Sequence, residues 1–369
     1  MKIGVDGTVF LERLTGIGNY SLELLEAVAR IMPEDEFVIF THKPLFVLPD
    51  AGNIRVIVCA AWPWQNGIVW KTIGQGVEVR KYPVDVFWAA NGAASFYMPC
   101  PVCLSVYDFV QRLYPETMTL KGRWFRKLNQ PFWITRAETT FCISDDIANQ
   151  MKIWYGRDTD AVIRPSTGEQ FNKRSADEVA GLQVKYAIDD RYALIVGTLE
   201  PRKNVAEFVR CYLDYWQNRG DKPQPVQLVV TGARGWRNGE ILNMLDGAEK
   251  AGLVRRLDYV SAEDLPALYS GADIFFMPSL YEGFGMPILE ARKCGCPVAC
   301  SDIPAMREAG GDFALYFAPT KEGIGAMLEQ VFTWGDFPAS DYGRGVNWSW
   351  EFGASQLKAL LLKSVQSAA

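Results

Sequence analysis

Two carboxylates flank a glycine-rich loop in the stretch YEGFGMPILE, residues 281–290. Its two glycines allow a tight turn in which backbone N–H groups approach a ligand, and Pro287 suits the first turn of a helix. A helix N-terminus offers unpaired N–H groups and a partial positive charge, which suit phosphates and sugars. Glu282 and Glu290 are therefore predicted to accept hydrogen bonds from hydroxyl groups of a ligand.

Two cations, Arg202 and Lys203, follow an apolar strand predicted at 192–197 that ends in Gly197. A helix is predicted to come next, with Asn204 and Glu207 as its capping box. Two cations before a helix N-terminus, at the end of a buried strand, form a good clamp for a diphosphate. The alternative is a pair of solvated side chains in an ordinary loop, although a structural turn does not require them there.

Both motifs follow short apolar runs of the kind found in buried parallel strands. The second half of the chain alternates such runs with helical patterns, with further strands predicted at 226–230, 257–260, 274–277 and 297–300. This alternation predicts a doubly wound α/β sheet. Residues 165–190 are polar and broken and are interpreted as a linker, and a last helix is predicted at 349–365.

The first half shows the same alternation, with strands predicted at 2–5, 37–40, 54–58, 84–88, 102–107 and 139–143. Gly16 and Gly18 are predicted to form a glycine loop before a helix, which is a phosphate-cradling arrangement. Ser21 stands where a dinucleotide-binding fingerprint has its third glycine. Asp108 follows Tyr107 at a strand end, the edge where ligands bind in open sheets. An ordinary turn aspartate is the alternative for Asp108.

Composition and charge exclude several classes of function. The 369 residues carry a formal charge of −5, which argues against nucleic acid as the main partner. The chain has one histidine, His42, so a catalytic triad or a histidine-based metal site is nearly excluded. The eight cysteines are expected to be free thiols, including the pair Cys100 and Cys103. No run reaches the length of a membrane span, and Asp6 interrupts the segment where a signal peptide is apolar, so a cytoplasmic location is expected.

Residues 121–136 combine five basic residues with tryptophan and phenylalanine and contain no acidic residue. Such interleaving suits a peripheral contact with the inner membrane face, or an anionic acceptor. Trp62, Trp64 and Trp70 are candidates for the same surface. The alternative is a helix whose aromatic residues are core and whose basic face is solvated.

Asp158 and Asp160 have the spacing of a pair that holds a divalent metal against a nucleotide diphosphate. They lie in a predicted surface turn, where paired aspartates are common. We interpret both as solvated and predict no metal site there.

These motifs resemble the signature of the retaining glycosyltransferases of family four, the glycosyl transferases group 1. The resemblance runs over most of the chain and is strongest from residue 192 to 320. It is carried by Gly197 with Glu200-Pro201-Arg202-Lys203-Asn204, by Pro278-Ser279 with Glu282-Gly283-Phe284-Gly285-Met286-Pro287 and Glu290-Ala291, by Gly295-Cys296-Pro297-Val298, Ser301-Asp302 and Glu308, and by Thr15-Gly16-Ile17-Gly18.

The resemblance implies the GT-B fold, in which two Rossmann-like doubly wound domains face each other across a cleft. It implies an acceptor-side domain at residues 1–170 and a donor-binding domain at 171–348. The last helix, within 349–369, is expected to pack back on the first domain. The expected partners are a nucleotide-sugar donor and a glycan or lipid-linked sugar acceptor, with no metal or other cofactor required.

The resemblance also implies a role for each motif residue. Arg202 and Lys203 would neutralise the diphosphate leaving group, and Glu290 would bind the ribose hydroxyls. The sugar would be held by Glu282 and by the backbone of Phe284, Gly285 and Met286. The phosphates would be bound by the loop at Gly197 and covered by Gly16 and Gly18.

One strand end departs from the family pattern. Many members have His-Asp where this chain has Tyr107-Asp108, and that histidine contacts the donor sugar near the reacting carbon. Tyr107 offers a hydroxyl instead, but a tyrosine does not titrate near neutral pH. Asp108 stays among the predicted catalytic residues.

The expected activity is retaining transfer of a hexose, with GDP-mannose as the favoured donor, in cell-surface polysaccharide synthesis. UDP-hexose and dTDP-rhamnose are alternative donors. A catalytically silent sugar-nucleotide-binding partner of another transferase is a further alternative, which the intact cations and glutamates disfavour. A nicotinamide-dependent oxidoreductase is disfavoured by the incomplete glycine fingerprint.

Overall fold

The computed structural model of the chain describes residues 1–14, 16–118, 120–218, 225–233, 239–258, 260–334 and 348–368. They form two compact units. Unit one comprises Met1–Pro115, Thr119–Ser166 and Trp348–Ala369, and unit two comprises Glu116–Met118 and Thr167–Asn347. Each unit contains one sheet of parallel strands connected through helices, so the predicted α/β class is confirmed.

The sheet of unit one has seven strands in the order β3-β2-β1-β4-β5-β6-β7. The strands are β1 Lys2–Asp6, β2 Glu36–Thr41, β3 Ile54–Val58, β4 Val86–Ala89, β5 Val102–Val106, β6 Thr139–Cys142 and β7 Ala161–Val162. The helices are α1 Gly16–Ile31, α2 Gly67–Val69, α3 Gln75–Lys81, α4 Val110–Leu113, α5 Leu120–Arg136, α6 Asp145–Tyr155 and, from the end of the chain, α14 Trp350–Ala368. A single π-helical turn, Trp70–Gly74, joins α2 to α3. Every residue of β4, β5 and β6 is buried, as expected for central strands of a parallel sheet covered on both faces.

The helix α14 packs against α1 in unit one. The rings of Trp350 and Tyr20 meet edge to face with centroids 5.5 Å apart. Lys363 on α14 binds Asp160 at 2.6 Å. The prediction that both aspartates of the 158–160 turn are solvated is therefore wrong for Asp160, which is only 16% exposed, whereas Asp158 is 78% exposed.

The sheet of unit two has six strands in the order β10-β9-β8-β11-β12-β13. The strands are β8 Tyr192–Val196, β9 Gln227–Thr231, β10 Val254–Leu257, β11 Ile274–Met277, β12 Val298–Ser301 and β13 Ala314–Phe317. The helices are α7 Ala176–Tyr186, α8 Val205–Gln217, α9 Gly239–Lys250, α10 Leu265–Gly271, α11 Met286–Lys293, α12 Pro304–Gly310 and α13 Lys321–Trp334. A core of buried apolar side chains fills the space between α8, α9 and α13 and strands β8, β9 and β11.

Two sequence-based predictions in unit two are wrong. The stretch 165–190, interpreted as a linker, contains the helix α7, whose N-terminus is closed by a capping box between Ser175 and Glu178. The strand predicted at 257–260 lies at Val254–Leu257, and Tyr259 falls outside the described residues.

No helix in the described ranges has both the length and the apolar character needed to cross a membrane. The eight cysteines are all free thiols. Burial raises the pKa of Cys100 and of Cys103 to about 12.

Candidate functional site

The loops that follow β8 and β11 begin side by side at the carboxyl edge of the unit-two sheet. These strands are parallel neighbours, with Ala193 opposite Ile274. The strand order changes direction at this pair, because β9 flanks β8 and β12 flanks β11 on the outer sides. Open α/β sheets bind ligands at such a switch point, outside the carboxyl ends of the strands. The two predicted cations and the first predicted carboxylate therefore lie on adjacent loops.

Glu282 binds both predicted cations directly. Its Oε2 lies 2.9 Å from Arg202 Nη1, and its Oε1 lies 2.5 Å from Lys203 Nζ. Glu200, whose role was not predicted, binds Arg202 Nη2 at 2.6 Å. All four side chains are 20% exposed or less. The charges of this cluster cancel, so an anion that approaches the cations competes with two carboxylates for them.

The cations set the protonation state of Glu282. Burial raises its pKa, but Lys203 and Arg202 outweigh burial and lower it to about 2. Burial lowers the pKa of Lys203, and the attraction of Glu282 opposes that shift. Glu282 is therefore a carboxylate near neutral pH, able to accept hydrogen bonds but not to donate a proton.

Backbone hydrogen bonds hold the two loops together. The Leu280 N–H donates to the carbonyl of Arg202 at 2.8 Å, and Arg202 Nη1 donates to the carbonyl of Tyr281 at 3.1 Å. Both cations lie in the 3₁₀ turn Pro201–Lys203. The predicted capping box is wrong, because Asn204 has φ of +57° and its side chain donates to the carbonyl of Pro319 at 3.1 Å instead.

Glycines shape both loops where the backbone turns sharply. Gly285 has φ of +117° and directly precedes α11, a conformation that L side chains rarely adopt. Gly197 and Gly232 end neighbouring strands, and a Cβ on Gly232 would lie 1.9 Å from the carbonyl oxygen of Gly197. Phe284 is buried beside the turn. Pro287 occupies the first turn of α11, as predicted.

Glu290, on α11, has a different kind of partner from Glu282. Its Oε2 accepts a hydrogen bond from the hydroxyl of Tyr269 at 2.9 Å. Burial raises the pKa of Glu290 to about 7, although that hydrogen bond opposes the shift. The two predicted glutamates thus differ, because Glu282 has cationic partners and Glu290 has a neutral one.

Comparison with known proteins shows which family this chain belongs to. The family model for glycosyl transferases group 1 matches residues 183–331. The O-antigen chain mannosyltransferase B of Escherichia coli is 34% identical over 327 residues, which cover 83% of this chain and 84% of that protein. This chain belongs to the glycosyl transferases group 1 family.

Solved structures share the fold of this glycosyltransferase. Sucrose-phosphate synthase from Thermosynechococcus elongatus superposes with a TM-score of 0.70 at 17% identity, covering 100% of this chain and 97% of that chain. Anabaena HepE, in complex with UDP and glucose, superposes with a TM-score of 0.66 at 16% identity, covering 100% and 98%. The chain therefore has the GT-B fold, as the resemblance implied.

Tyr107 stands where many members of the family have histidine, and its hydroxyl is hydrogen-bonded inside unit one. The side chain is 5% exposed. Its hydroxyl donates to the carbonyl of Ala90 at 2.7 Å and lies 3.1 Å from Ser21 Oγ. Burial raises its pKa to about 12. These contacts give Tyr107 a packing role and leave it a poor substitute for a histidine that contacts a sugar.

Asp108 and the N-terminal glycines have structural roles within unit one. Asp108 pairs with Arg126 at 2.9 Å and accepts a hydrogen bond from the Val110 N–H at 3.1 Å, as a turn residue does. Gly16 and Gly18 lie inside the first turn of α1 rather than in a loop before it. A Cβ on Gly18 would lie 3.1 Å from the carbonyl oxygen of Val9. Thr15 lies outside the described residues.

The basic aromatic stretch forms most of α5. Trp133 is buried, and its Nε1 donates to the carbonyl of Ala94 at 2.9 Å, whereas Trp124 is 61% exposed. Of the other tryptophans considered for this surface, Trp62 is 86% exposed and Trp70 is fully buried. The stretch is therefore partly core and partly exposed.

Proposed function

We propose that this chain is a retaining mannosyltransferase that uses GDP-mannose and acts in the synthesis of a cell-surface polysaccharide. The observation that carries the proposal is the cluster of Arg202, Lys203 and Glu282 at the switch point of the unit-two sheet. The mannose assignment is supported by the E. coli relative, whose name is O-antigen chain mannosyltransferase B. The acceptor is proposed to be a glycan or a lipid-linked sugar.

In the proposed mechanism, the donor diphosphate replaces Glu282 on Arg202 and Lys203. The bond between the sugar C1 and the diphosphate oxygen breaks, and negative charge develops on the leaving group while the sugar becomes oxocarbenium-like. Two fixed cations stabilise that charge more in the transition state than in the ground state. The acceptor oxygen forms the new bond to C1, and its proton passes to the leaving phosphate on the same face. No divalent metal is needed in this proposal.

The displaced Glu282 then accepts hydrogen bonds from hydroxyls of the sugar. A charged carboxylate is a strong hydrogen-bond acceptor, which suits this role. The backbone of Phe284, Gly285 and Met286 would add contacts to the sugar at the start of α11. Glu290 would accept hydrogen bonds from the ribose hydroxyls in place of, or beside, its bond from Tyr269.

A peripheral contact with the inner membrane face is proposed through α5. Leu120, Trp124 and Leu128 are 74%, 61% and 60% exposed and follow one another at four-residue spacing, so they share one face. Lys121 and Lys127 are exposed on the same helix. Apolar side chains next to lysines suit an anionic lipid surface.

Co-sedimentation with anionic vesicles tests this contact. The variant W124S/L128S should lose most of its vesicle binding, whereas Ile153→Ser, which changes a 77% exposed residue on α6, should not. Equal binding by both variants would refute the contact without touching the transfer reaction.

The donor is tested by a thermal-shift screen against GDP-, UDP- and dTDP-sugars, followed by a transfer assay. At equal concentration, the ligand that binds the folded state more tightly raises its apparent stability more, so GDP-mannose should give the largest shift. A larger shift with a UDP-hexose or dTDP-rhamnose would replace the proposed donor. Donor binding with neither transfer nor hydrolysis would instead favour a silent sugar-nucleotide-binding protein.

A further inference from the structure

Glu200 lies at the carboxyl edge of the unit-two sheet, on the same loop as the two cations. It follows the end of β8 by four residues and directly precedes the 3₁₀ turn Pro201–Lys203. The Lys203 N–H donates to its carbonyl at 3.0 Å, which closes that turn. Its side chain is 18% exposed, and its Oε1 lies 2.6 Å from Arg202 Nη2. The backbone and the ion pair together place this carboxylate beside one cation.

Arg202 is bound from two sides by different loops. Its Nη2 pairs with Glu200 on its own loop. Its Nη1 lies 2.9 Å from Glu282 Oε2 and 3.1 Å from the carbonyl oxygen of Tyr281, both on the loop after β11. A guanidinium group is planar and its N–H donors form a rigid fork, so binding both terminal nitrogens fixes the direction of the fork. Glu282 is shared with Lys203, whereas Glu200 pairs within 4.0 Å with no described cation other than Arg202.

The two carboxylates differ in what happens when a donor binds. In the proposed mechanism the diphosphate replaces Glu282, so Arg202 loses the carboxylate at Nη1. The pair with Glu200 uses the other terminal nitrogen and lies within one loop, so it remains while Nη1 changes partner. Without Glu200, a long flexible side chain would have to be ordered during the reaction itself, which raises the barrier.

We propose that Glu200 is a positioning residue for the transfer reaction, which holds the guanidinium of Arg202 with Nη1 directed at the leaving diphosphate. The inference rests on the proposed function, in which Arg202 stabilises the charge of the leaving group. Glu200 acts through Arg202 rather than by contact with the donor. A carboxylate near a diphosphate repels it, so Glu200 lowers donor affinity or leaves it unchanged. Its benefit lies in the chemical step, where the orientation of a charged group lowers the barrier.

The first test compares Glu200→Ala with Glu200→Gln in a transfer assay and in calorimetric titration of GDP. The amide of glutamine has the reach of the carboxylate and still offers an oxygen to Arg202 Nη2, whereas alanine offers none. We expect kcat to fall about tenfold or more in Glu200→Ala and to stay within about threefold in Glu200→Gln. GDP should bind both variants at least as tightly as it binds wild type.

The same titration separates positioning from stability. Its fitted stoichiometry gives the fraction of folded protein, and kcat is normalised to that fraction. A lower normalised kcat without weaker GDP binding is then a result that a loss of fold stability does not produce. Equal losses of kcat in Glu200→Gln and Glu200→Ala would show that charge rather than position matters, and would contradict the proposal.

Asp273→Ala is the matched control for the loss of an ion pair in unit two. Asp273 Oδ2 lies 2.8 Å from Arg191 Nη2, and its carboxylate is 23% exposed, close to the exposure of Glu200. Asp273 directly precedes β11, so it lies at the amino edge of the sheet, opposite the edge that carries Arg202. Transfer should stay within about twofold of wild type. If Asp273→Ala lowered kcat as much as Glu200→Ala, the effect would be a general weakening of unit two, and the proposal would be overturned.

A double-mutant cycle with Arg202→Ala tests whether Glu200 acts through Arg202. In the Arg202→Ala background, Glu200→Ala should change kcat less than twofold, because the side chain that Glu200 positions is absent. A tenfold loss in that background would overturn the proposal, and so would GDP binding that weakens in Glu200→Ala in step with kcat. Failure of the proposed function is a different result, in which wild type transfers no sugar from GDP-mannose. The cycle then uses the nucleotide sugar that the thermal-shift screen selects, because these donors share the diphosphate.

Discussion

The two cationic regions of this glycosyltransferase use their charges differently. In unit two, Arg202 and Lys203 are fully compensated by Glu282 and Glu200. In unit one, Lys43, Lys71 and Lys121 line a cavity, and no carboxylate oxygen of a described residue lies within 4.0 Å of their Nζ atoms. In the first arrangement a ligand anion competes with carboxylates for the cations, whereas in the second the three ammonium groups have no close carboxylate among the described residues. The two regions therefore differ in whether their cations already have carboxylate partners.

Among the variants that test this comparison, Lys203→Ala should have the largest effect on activity. Removing a cation that stabilises the developing charge is expected to lower kcat about 100- to 1000-fold, the range seen for single transition-state donors. Asp158→Ala, at an exposed ion pair with Lys152, serves as the control and should stay within about twofold. Steady-state transfer with and without EDTA measures both. Comparable losses in the two variants, or a strict requirement for a divalent metal, would contradict the metal-free account.

Glu282→Gln should have the next largest effect on activity. The amide keeps the shape of the side chain but loses the charge that accepts hydrogen bonds from the sugar. We expect kcat/KM to fall about tenfold or more, the value of one hydrogen bond to a charged group. Glu200→Gln, which changes a carboxylate that pairs with Arg202, should cost less. The ranking of the two variants in a transfer assay decides whether Glu282 has a role beyond neutralising cations.

The two glutamates of the 281–290 stretch should differ in their pH dependence. The pKa of Glu290 is raised to about 7 by burial, so the folded state binds a proton that the unfolded state releases above pH 4.5. Its contribution to stability is therefore present below pH 4.5 and lost as pH rises through 7. Relative to Glu290→Gln, the wild type should lose roughly 1–3 kcal/mol between pH 5 and 8.

Urea unfolding at both pH values measures that difference. Glu282, whose pKa is lowered to about 2, contributes stability above pH 4.5 that is lost only as pH falls toward 2. A difference in stability between wild type and Glu290→Gln that does not change with pH would show that folding does not raise the pKa of Glu290.

Tyr107→Phe should have the smallest effect. Its hydroxyl donates to the buried carbonyl of Ala90, so its loss should cost about 1 kcal/mol of stability. Transfer should stay within about twofold, because the hydroxyl is hydrogen-bonded inside unit one. A loss of transfer much larger than the loss of stability would place Tyr107 at the substrate and restore it as the counterpart of the family histidine.

Local patterns in the sequence predicted the strands and loops that carry the unit-two site. β11 is correctly bounded, because a short apolar run before a glycine loop has few other conformations. The ion pairs of Glu282 with residues 80 and 79 positions earlier were not predicted, since pairing across a sheet is not encoded in local spacing. The same reason explains Asp160, whose partner Lys363 lies 203 residues later.

Other features were missed for different physical reasons. The helix α7 carries a local signal, Ser175 with Glu178 three residues on, which the polar composition of its surroundings concealed. Asn204 carries the capping pattern but adopts a left-handed conformation, because its amide bonds Pro319 on a distant loop. The cavity of unit one combines His42, Lys71 and Lys121 from separate segments, so only the tertiary structure brings them together.

Calorimetric titration of GDP into wild type, Glu282→Gln, Lys203→Ala and the double variant tests the proposed anion exchange most directly. If diphosphate replaces Glu282 on the cations, removing the carboxylate should tighten GDP binding several-fold, and Lys203→Ala should weaken it about tenfold or more. The gain from Glu282→Gln should shrink when Lys203 is absent, because the two residues compete for the same interaction. A loss of GDP affinity in Glu282→Gln as large as that in Lys203→Ala would show that the carboxylate supports diphosphate binding, and would contradict the account.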